Sequence, residues 1–232
     1  LDAPEGFSYW LLKLDGVTNS LLGDPQHYGE IEYVYYLLAK EAGINMTECR
    51  LLHENNRAHF MTRRFDRQGG EKVHMQTLCG LTHHDYNQRN SCSYEQVFEY
   101  MRRMYLPYPQ AEEFYRRMVF NVVACNQDDH TKNISFLMNR TGTWELSPAY
   151  DMSWAYNANG AWTQKHQMSI CGKLQNITRE DLLQVAHQMN IKRPNELIDQ
   201  VVEAVSLWKQ IASQYTIPKE IIDYIQSTHL TL

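Results

Sequence analysis

Between residues 126 and 133 the chain reads NQDDHTKN, and a further aspartate, Asp151, follows 18 residues after Asn133. Two adjacent carboxylates, an imidazole, an ammonium and an amide between apolar runs form a solvated turn in many proteins. The same groups can also hold a phosphate and a hard cation. Magnesium takes oxygen ligands and bridges phosphates, so a carboxylate and an amide oxygen must converge on it, while a separate carboxylate stays free to orient an attacking hydroxyl. Asp128 and Asn133, five positions apart, with Asp151 arriving later, can divide those roles. Lys13 is a second candidate, since it lies inside the apolar stretch WLLKLD, where an ammonium without a partner is costly. Glu32 is one counter-charge within reach of such a lysine, and Glu30 is its near neighbour.

These residues need elements to position them. YWLLKL (9–14), CRLLHE (49–54) and AHFMTRRFD (58–66) read as strands, with ENNRA as a hairpin turn. Between the first two, Ile31, Val34, Tyr35, Leu38 and Ala42 recur at helical spacing and Gly43 supplies the stop. The stretch DRQGGEKVH reads as a turn, and near residue 75 the pattern becomes mainly helical. Ser93 with Gln96 forms a capping box for a helix to about Met104; LPYP breaks it, and QAEEFYRRMVFNVVAC is a long amphipathic helix. Its RRM triplet, balanced by Glu112 and Glu113, reads as part of a solvated face. After the polar loop, ISFLM and WELS around RTGT form a β-hairpin that ends just before Asp151. Thr178 with Asp181 caps another helix, and Pro194 and Pro218 suit first turns, so the last third is a helical bundle.

Composition narrows the function classes. With 232 residues, 43% of them hydrophobic and 21% charged, a sizeable core is expected. A net charge of -5 gives no reason for nucleic acid to be the main partner. Five scattered cysteines without a CxxC pair indicate neither a disulfide framework nor a thiolate zinc site, and fit a reducing cytoplasm. No apolar run approaches the roughly 20 residues that a bilayer span requires.

Helix, polar loop, hairpin, aspartate is the order found in protein kinases. There a loop aspartate meets the substrate hydroxyl, and an asparagine and a later aspartate bind magnesium. A strand lysine paired with a helix glutamate contacts the α- and β-phosphates. More specifically, the motifs LLKLDG, EYVYYLLAKEAGI, TRRFDR, DDHTKNISF and SPAYDM resemble the HipA family of serine/threonine kinases, the toxin half of bacterial HipBA-type toxin–antitoxin systems, over most of residues 9–230. The resemblance implies an α+β, protein-kinase-like two-lobed fold: a small, partial β-rich N-lobe of strand, helix and hairpin over 1–75, and a mainly helical C-lobe with catalytic loop and metal site over 76–232. By motif match, Lys13, held by Glu32, would contact the phosphates of ATP, Asp128 would be catalytic, and Asn133 and Asp151 would hold Mg2+. Asp66 and His130 match positions near the ribose, and the backbone from Arg63 to Phe65 matches the hinge that reads adenine. The sequence departs from the best-known members at Arg63, where they have an acidic residue, and at Asp129, where they have glycine.

The resemblance further implies a protein substrate in the translation machinery, such as an aminoacyl-tRNA synthetase, and control by a helix-turn-helix antitoxin, through which alone nucleic acid would be met. No GxGxxG or comparable phosphate loop precedes Lys13. The expectation is that this part lies upstream in the same protein or on a separate polypeptide resembling the missing subdomain. Two alternatives stand beside the kinase reading: a non-catalytic, partner-binding pseudokinase lobe, and a small-molecule phosphotransferase.

Overall fold

The helix that carries Glu32 is started by a carboxylate from outside it. In the computed structural model, which describes residues 4, 6–18, 21–22, 26–68 and 70–232, helix α1 spans Tyr28–Glu41 and buries Ile31, Val34, Tyr35, Leu38 and Ala39. The buried Asp15 accepts hydrogen bonds from the backbone N–H groups of Gln26 and Tyr28, both at 3.0 Å. It thereby satisfies donors that a helix start leaves open. Gly43, at φ 77°, closes the other end.

Strand β1 (Trp10–Lys13) is followed by the short pair β2 (Val17–Thr18) and β3 (Leu21–Leu22). β4 (Cys49–Glu54) and β5 (Arg57–Arg63) form an antiparallel hairpin, and with β1 they make a sheet in the order β1-β5-β4. Asn55 and Asn56 at its tip have φ of 48° and 60°, the left-handed pair that a two-residue hairpin turn needs. α1 lies against this sheet through Gly29, where a Cβ would come within 2.1 Å of the Ala58 carbonyl oxygen. Only glycine permits so close an approach.

The strand expected over 58–66 ends at Arg63. There the chain turns away: Arg64 N–H bonds Tyr9 O at 2.9 Å, and Asp66 is gripped by Arg64 and Arg67. The stretch expected as a simple turn holds a small hairpin, β6 (Arg67–Gln68) with β7 (Glu71–Lys72), and then β8 (His74–Thr77). β8 was not visible in the sequence pattern because it is short and polar; it is a strand because it pairs with β9 (Ser135–Met138), which also pairs with β10 (Trp144–Leu146). The polar loop of interest therefore opens into a sheet whose third strand comes from residues 74–77.

The helices are α2 (Leu78–Thr82), α3 (Tyr94–Arg103), α4 (Tyr108–Val123), α5 (Arg179–Met189), α6 (Pro194–Ser206), α7 (Trp208–Ala212) and α8 (Lys219–Thr228). Both capping boxes, Ser93 with Gln96 and Thr178 with Asp181, are formed. LPYP does not only break a helix: α4 begins inside it, with Pro107 as its cap. Pro194 opens α6, whereas Pro218 stands one place before α8. One continuous core runs from α1 to α8. Tyr35 donates to Ala124 O at 2.6 Å and meets the rings of Phe120 and Trp208 edge-on. α1 is thus fixed to the helices of the later half as well as to the first sheet. Among the described residues no helix is long and apolar enough to cross a membrane.

Candidate active site

Lys13 joins three distant parts of the chain. Its Nζ donates to Glu32 Oε1 at 2.7 Å and also to Asp151 Oδ1. Burial pulls the lysine pKa down, but the carboxylates of Glu32 and Asp151 outweigh it and hold the group above its ordinary value. Glu32 shows the opposite balance: burial raises its pKa, and Lys13 recovers only part of the loss. The nearby Glu30 is separate, because α1 turns it the other way, where it accepts from the Thr216 backbone N–H at 2.9 Å and meets His27 Nδ1 at 2.9 Å.

The loop after α4 separates the two adjacent aspartates. Cys125 takes φ 55° at the helix end, and the loop is pinned by Asn126 Nδ2 to Asn121 Oδ1 at 2.9 Å, Cys79 N–H to Thr131 O at 3.1 Å and Leu78 N–H to Ile134 O at 2.8 Å. Asp128 leaves 45% of its side chain in solvent, with His130 Nε2 at 3.8 Å. Burial raises its pKa, His130 opposes this, and the Asp151 and Asp129 carboxylates add to the rise. A carboxylate so placed is a stronger proton acceptor than a free one. Asp129 has no exposed side-chain surface. It accepts from Tyr94 Oη at 2.8 Å, His166 Nδ1 at 2.8 Å and Gln167 N–H at 2.7 Å. It is not open to an incoming hydroxyl, so of the doublet only Asp128 faces outward.

Asn133 donates from Nδ2 to the carbonyl of Asp128 at 2.9 Å, which turns its Oδ1 away from that bond. Asp151 sits at φ 55°, a conformation that costs a non-glycine residue energy and is found where surrounding contacts enforce it. Those contacts are present. Ala149 N–H bonds Asn45 O at 2.8 Å, Tyr150 donates to Lys132 O at 2.6 Å and meets Ser135 Oγ, and the buried Arg117 donates to Ser147 O at 2.9 Å and to Glu113 at 2.8 Å. Arg117 corrects the reading of RRM as a solvated face: its guanidinium faces inward and holds Ser147, in the segment that leads from β10 to Asp151. Among the described residues no three His, Cys, Asp or Glu side chains cluster as a metal site. The donor set of Asn133 and Asp151, an amide and a carboxylate oxygen, instead fits Mg2+, which commonly takes one or two protein ligands and completes its shell with waters and phosphate.

Beside Lys13 lies an open cleft of about 270 Å3, lined by Leu11, Lys13, Glu32, Met46, Phe60, Thr62, Arg63, Arg64, Phe65, Asp66, Met75, Tyr150 and Asp151. The structure thus brings Lys13, Glu32, Arg63, Phe65, Asp66 and Asp151 to one cavity. Asp66 is bound by Arg64 at 2.8 and 2.6 Å, and this arginine holds its carboxyl below the usual range. His130 lies elsewhere, lining a much smaller cavity of about 30 Å3 with Asp129, Asn133 and Asp151. Tyr150, whose ring lies 5.7 Å from that of Phe65, and Met75 were not singled out from sequence. Tyr150 had a signal in its place beside Asp151, whereas Met75 reaches the cleft only through the unforeseen β8.

The arrangement of small sheets and helices is a kinase-like mixed α/β fold. It superposes on the Helicobacter pylori proinflammatory kinase CtkA with a TM-score of 0.59 at 13% identity, over 95% of this chain and 84% of that one. The chain belongs to the HipA-like C-terminal domain family, which matches residues 1–208. The HipA chain in the Shewanella oneidensis complex of HipA, HipB and operator DNA gives a TM-score of 0.68 at 18% identity, covering 97% of this chain. This chain spans 62% of the length of that HipA. No curated protein sequence matches it.

Proposed function

We propose that this chain is the catalytic part of a HipA-type serine/threonine protein kinase that transfers the γ-phosphate of ATP to a protein hydroxyl with Mg2+. The observation that carries the proposal is the meeting of Lys13 with Glu32 and Asp151, 19 and 138 positions away, at the mouth of one cleft. A lysine held between two carboxylates is a fixed cation at the edge of an open cleft. Lys13 neutralises phosphate charge, Glu32 sets the direction of its ammonium, and Arg63, Phe65 and Asp66 bound the part of the cleft where the nucleoside lies. Asp128 orients the acceptor hydroxyl and takes its proton, a role that its raised pKa favours. Asn133 and Asp151 would hold magnesium, which when bound draws charge from the phosphate oxygens. Positioning and electrostatics supply most of the acceleration in such transfers.

By extension from the Shewanella complex of HipA with HipB and operator DNA, we propose control by a helix-turn-helix antitoxin; the motif resemblance alone prompts the further proposals of a protein substrate in the translation machinery, such as an aminoacyl-tRNA synthetase, and a cytoplasmic site of action. Two other readings are tested beside the kinase: a pseudokinase that only binds a partner, and a small-molecule phosphotransferase. Incubating the protein with γ-labelled ATP, Mg2+ and a cell lysate separates these. A labelled protein band supports the kinase, a labelled metabolite supports a small-molecule phosphotransferase, and no label with retained partner binding supports the pseudokinase. The wild-type label must disappear in Asp128→Asn.

A further inference from the structure

Resting on the kinase reading, we infer that Asp129 is a positioning residue that ties the segment following Asp151 to the loop bearing Asp128 and sets the position of both. In many kinases the segment after the metal-binding aspartate is ordered only when a phosphorylated residue on it pairs with an arginine. Here a carboxylate from the loop itself makes that connection. Asp129 accepts three hydrogen bonds from two places: Tyr94 on α3, and the adjacent His166 Nδ1 and backbone N–H of Gln167. Asp129 and His166 side chains are 0% and 4% exposed.

Burying a carboxylate is expensive unless its oxygens are matched by donors, and this one is matched from both sides. Tyr94 Oη in turn accepts from Asn121 Nδ2 at 3.0 Å, and Asn121 Oδ1 accepts from Asn126 Nδ2 at 2.9 Å. The network therefore returns to the start of the same loop. The far strip is held in its own right, with Asn90 N–H on Gln167 O at 2.8 Å and Arg89 donating to Trp162 O at 3.0 Å. Without Asp129, the donors of Tyr94, His166 and Gln167 would face a void. An alanine would fill part of the space and satisfy none of them, whereas an asparagine could still accept from Gln167. One peptide bond separates Asp129 from Asp128, so a shift at the buried carboxylate moves the exposed one. A displacement of about 1 Å at a reacting group can cost about 100-fold in rate.

The test uses the full chain, MgATP and dephosphorylated casein as acceptor, with hydrogen exchange read at the Gln167 amide. Asp129→Ala should lower kcat by about 30-fold or more, leave the Kd for MgATP within about threefold because the Lys13 cleft is untouched, and raise exchange at Gln167 at least tenfold. Asp129→Asn should show smaller effects of the same kind; it is isosteric and stands in where the alanine variant does not fold. A folded Asp129→Ala with kcat within threefold of wild type overturns the inference. So does a fall in kcat with Gln167 exchange unchanged, or a parallel loss of MgATP affinity. A wild-type chain that transfers no phosphate refutes the kinase reading instead, while an active wild type with indifferent Asp129 variants refutes only the present inference.

Discussion

Lys13→Met and Glu32→Gln delete the same ion pair, yet they should cost unequal stability. The Lys13 side chain is 50% exposed and touches Asp151 as well, so Glu32→Gln leaves an ammonium that is half in water and still paired. That loss belongs near the range of exposed pairs, about 0.5–1 kcal/mol. Glu32 is 10% exposed, and Lys13 is its one ion-pair partner among the described residues. Lys13→Met therefore strands a largely buried carboxylate. Removing one partner of a fully buried pair costs ~3–5 kcal/mol; allowing for the residual exposure and for proton uptake, about 2 kcal/mol is expected at pH 8.

The pH dependence follows from the direction in which burial moves Glu32. Its pKa in the folded protein is already raised by burial against the pull of Lys13, and removing the lysine raises it further. A group whose folded pKa exceeds its unfolded value contributes most to stability when protonated, and that contribution is lost as pH rises through the folded pKa. The Lys13→Met penalty should therefore shrink between pH 8 and pH 5, by about 1.4 kcal/mol for each pH unit of that window lying between the folded pKa of Glu32 in the wild type and its higher value in the variant. Urea denaturation of both variants at the two pH values measures this. Equal penalties for the two variants at pH 8, or a Lys13→Met penalty that does not fall at pH 5, would show that the burial of Glu32 does not govern the pair.

Three further outcomes are expected. Asp128→Asn should abolish phosphoryl transfer while MgATP binding stays within about threefold, because the amide keeps the volume but cannot take the proton; activity within tenfold of wild type would remove Asp128 from its role. Asp151→Asn should weaken MgATP far more than metal-free ATP in calorimetry, since the lost charge acts through the ion; equal losses would move Asp151 out of the metal site. Phe65→Ala, which opens the cleft wall beside Tyr150, should weaken ATP with and without Mg2+ alike, and an unchanged affinity would place the nucleoside elsewhere.

What could be read in the sequence was local. The capping boxes at Ser93 and Thr178, the turn at Asn55 and Asn56, the stop at Gly43 and the offset between Asp128 and Asn133 are set by atoms a few residues apart, so a short window contains their whole cause. The kinase-like order of elements was legible for the same reason. Which of two neighbours faces the cleft or the solvent was not. Glu30 and Glu32 differ by two places on one helix, and only the packing of α1 between the first sheet and Thr216 sends one to the connection between α7 and α8 and the other to Lys13. Asp128 and Asp129 are adjacent and chemically alike; the cavity closed by Tyr94, His166 and Gln167 buries one and leaves the other facing outward. Strand β8 and the inward turn of Arg117 likewise depend on partners far along the chain. Residue type states what a side chain is able to do. Its direction and its solvent exposure belong to the tertiary structure, because desolvation and pairing are properties of everything packed around a group and not of its neighbours in sequence.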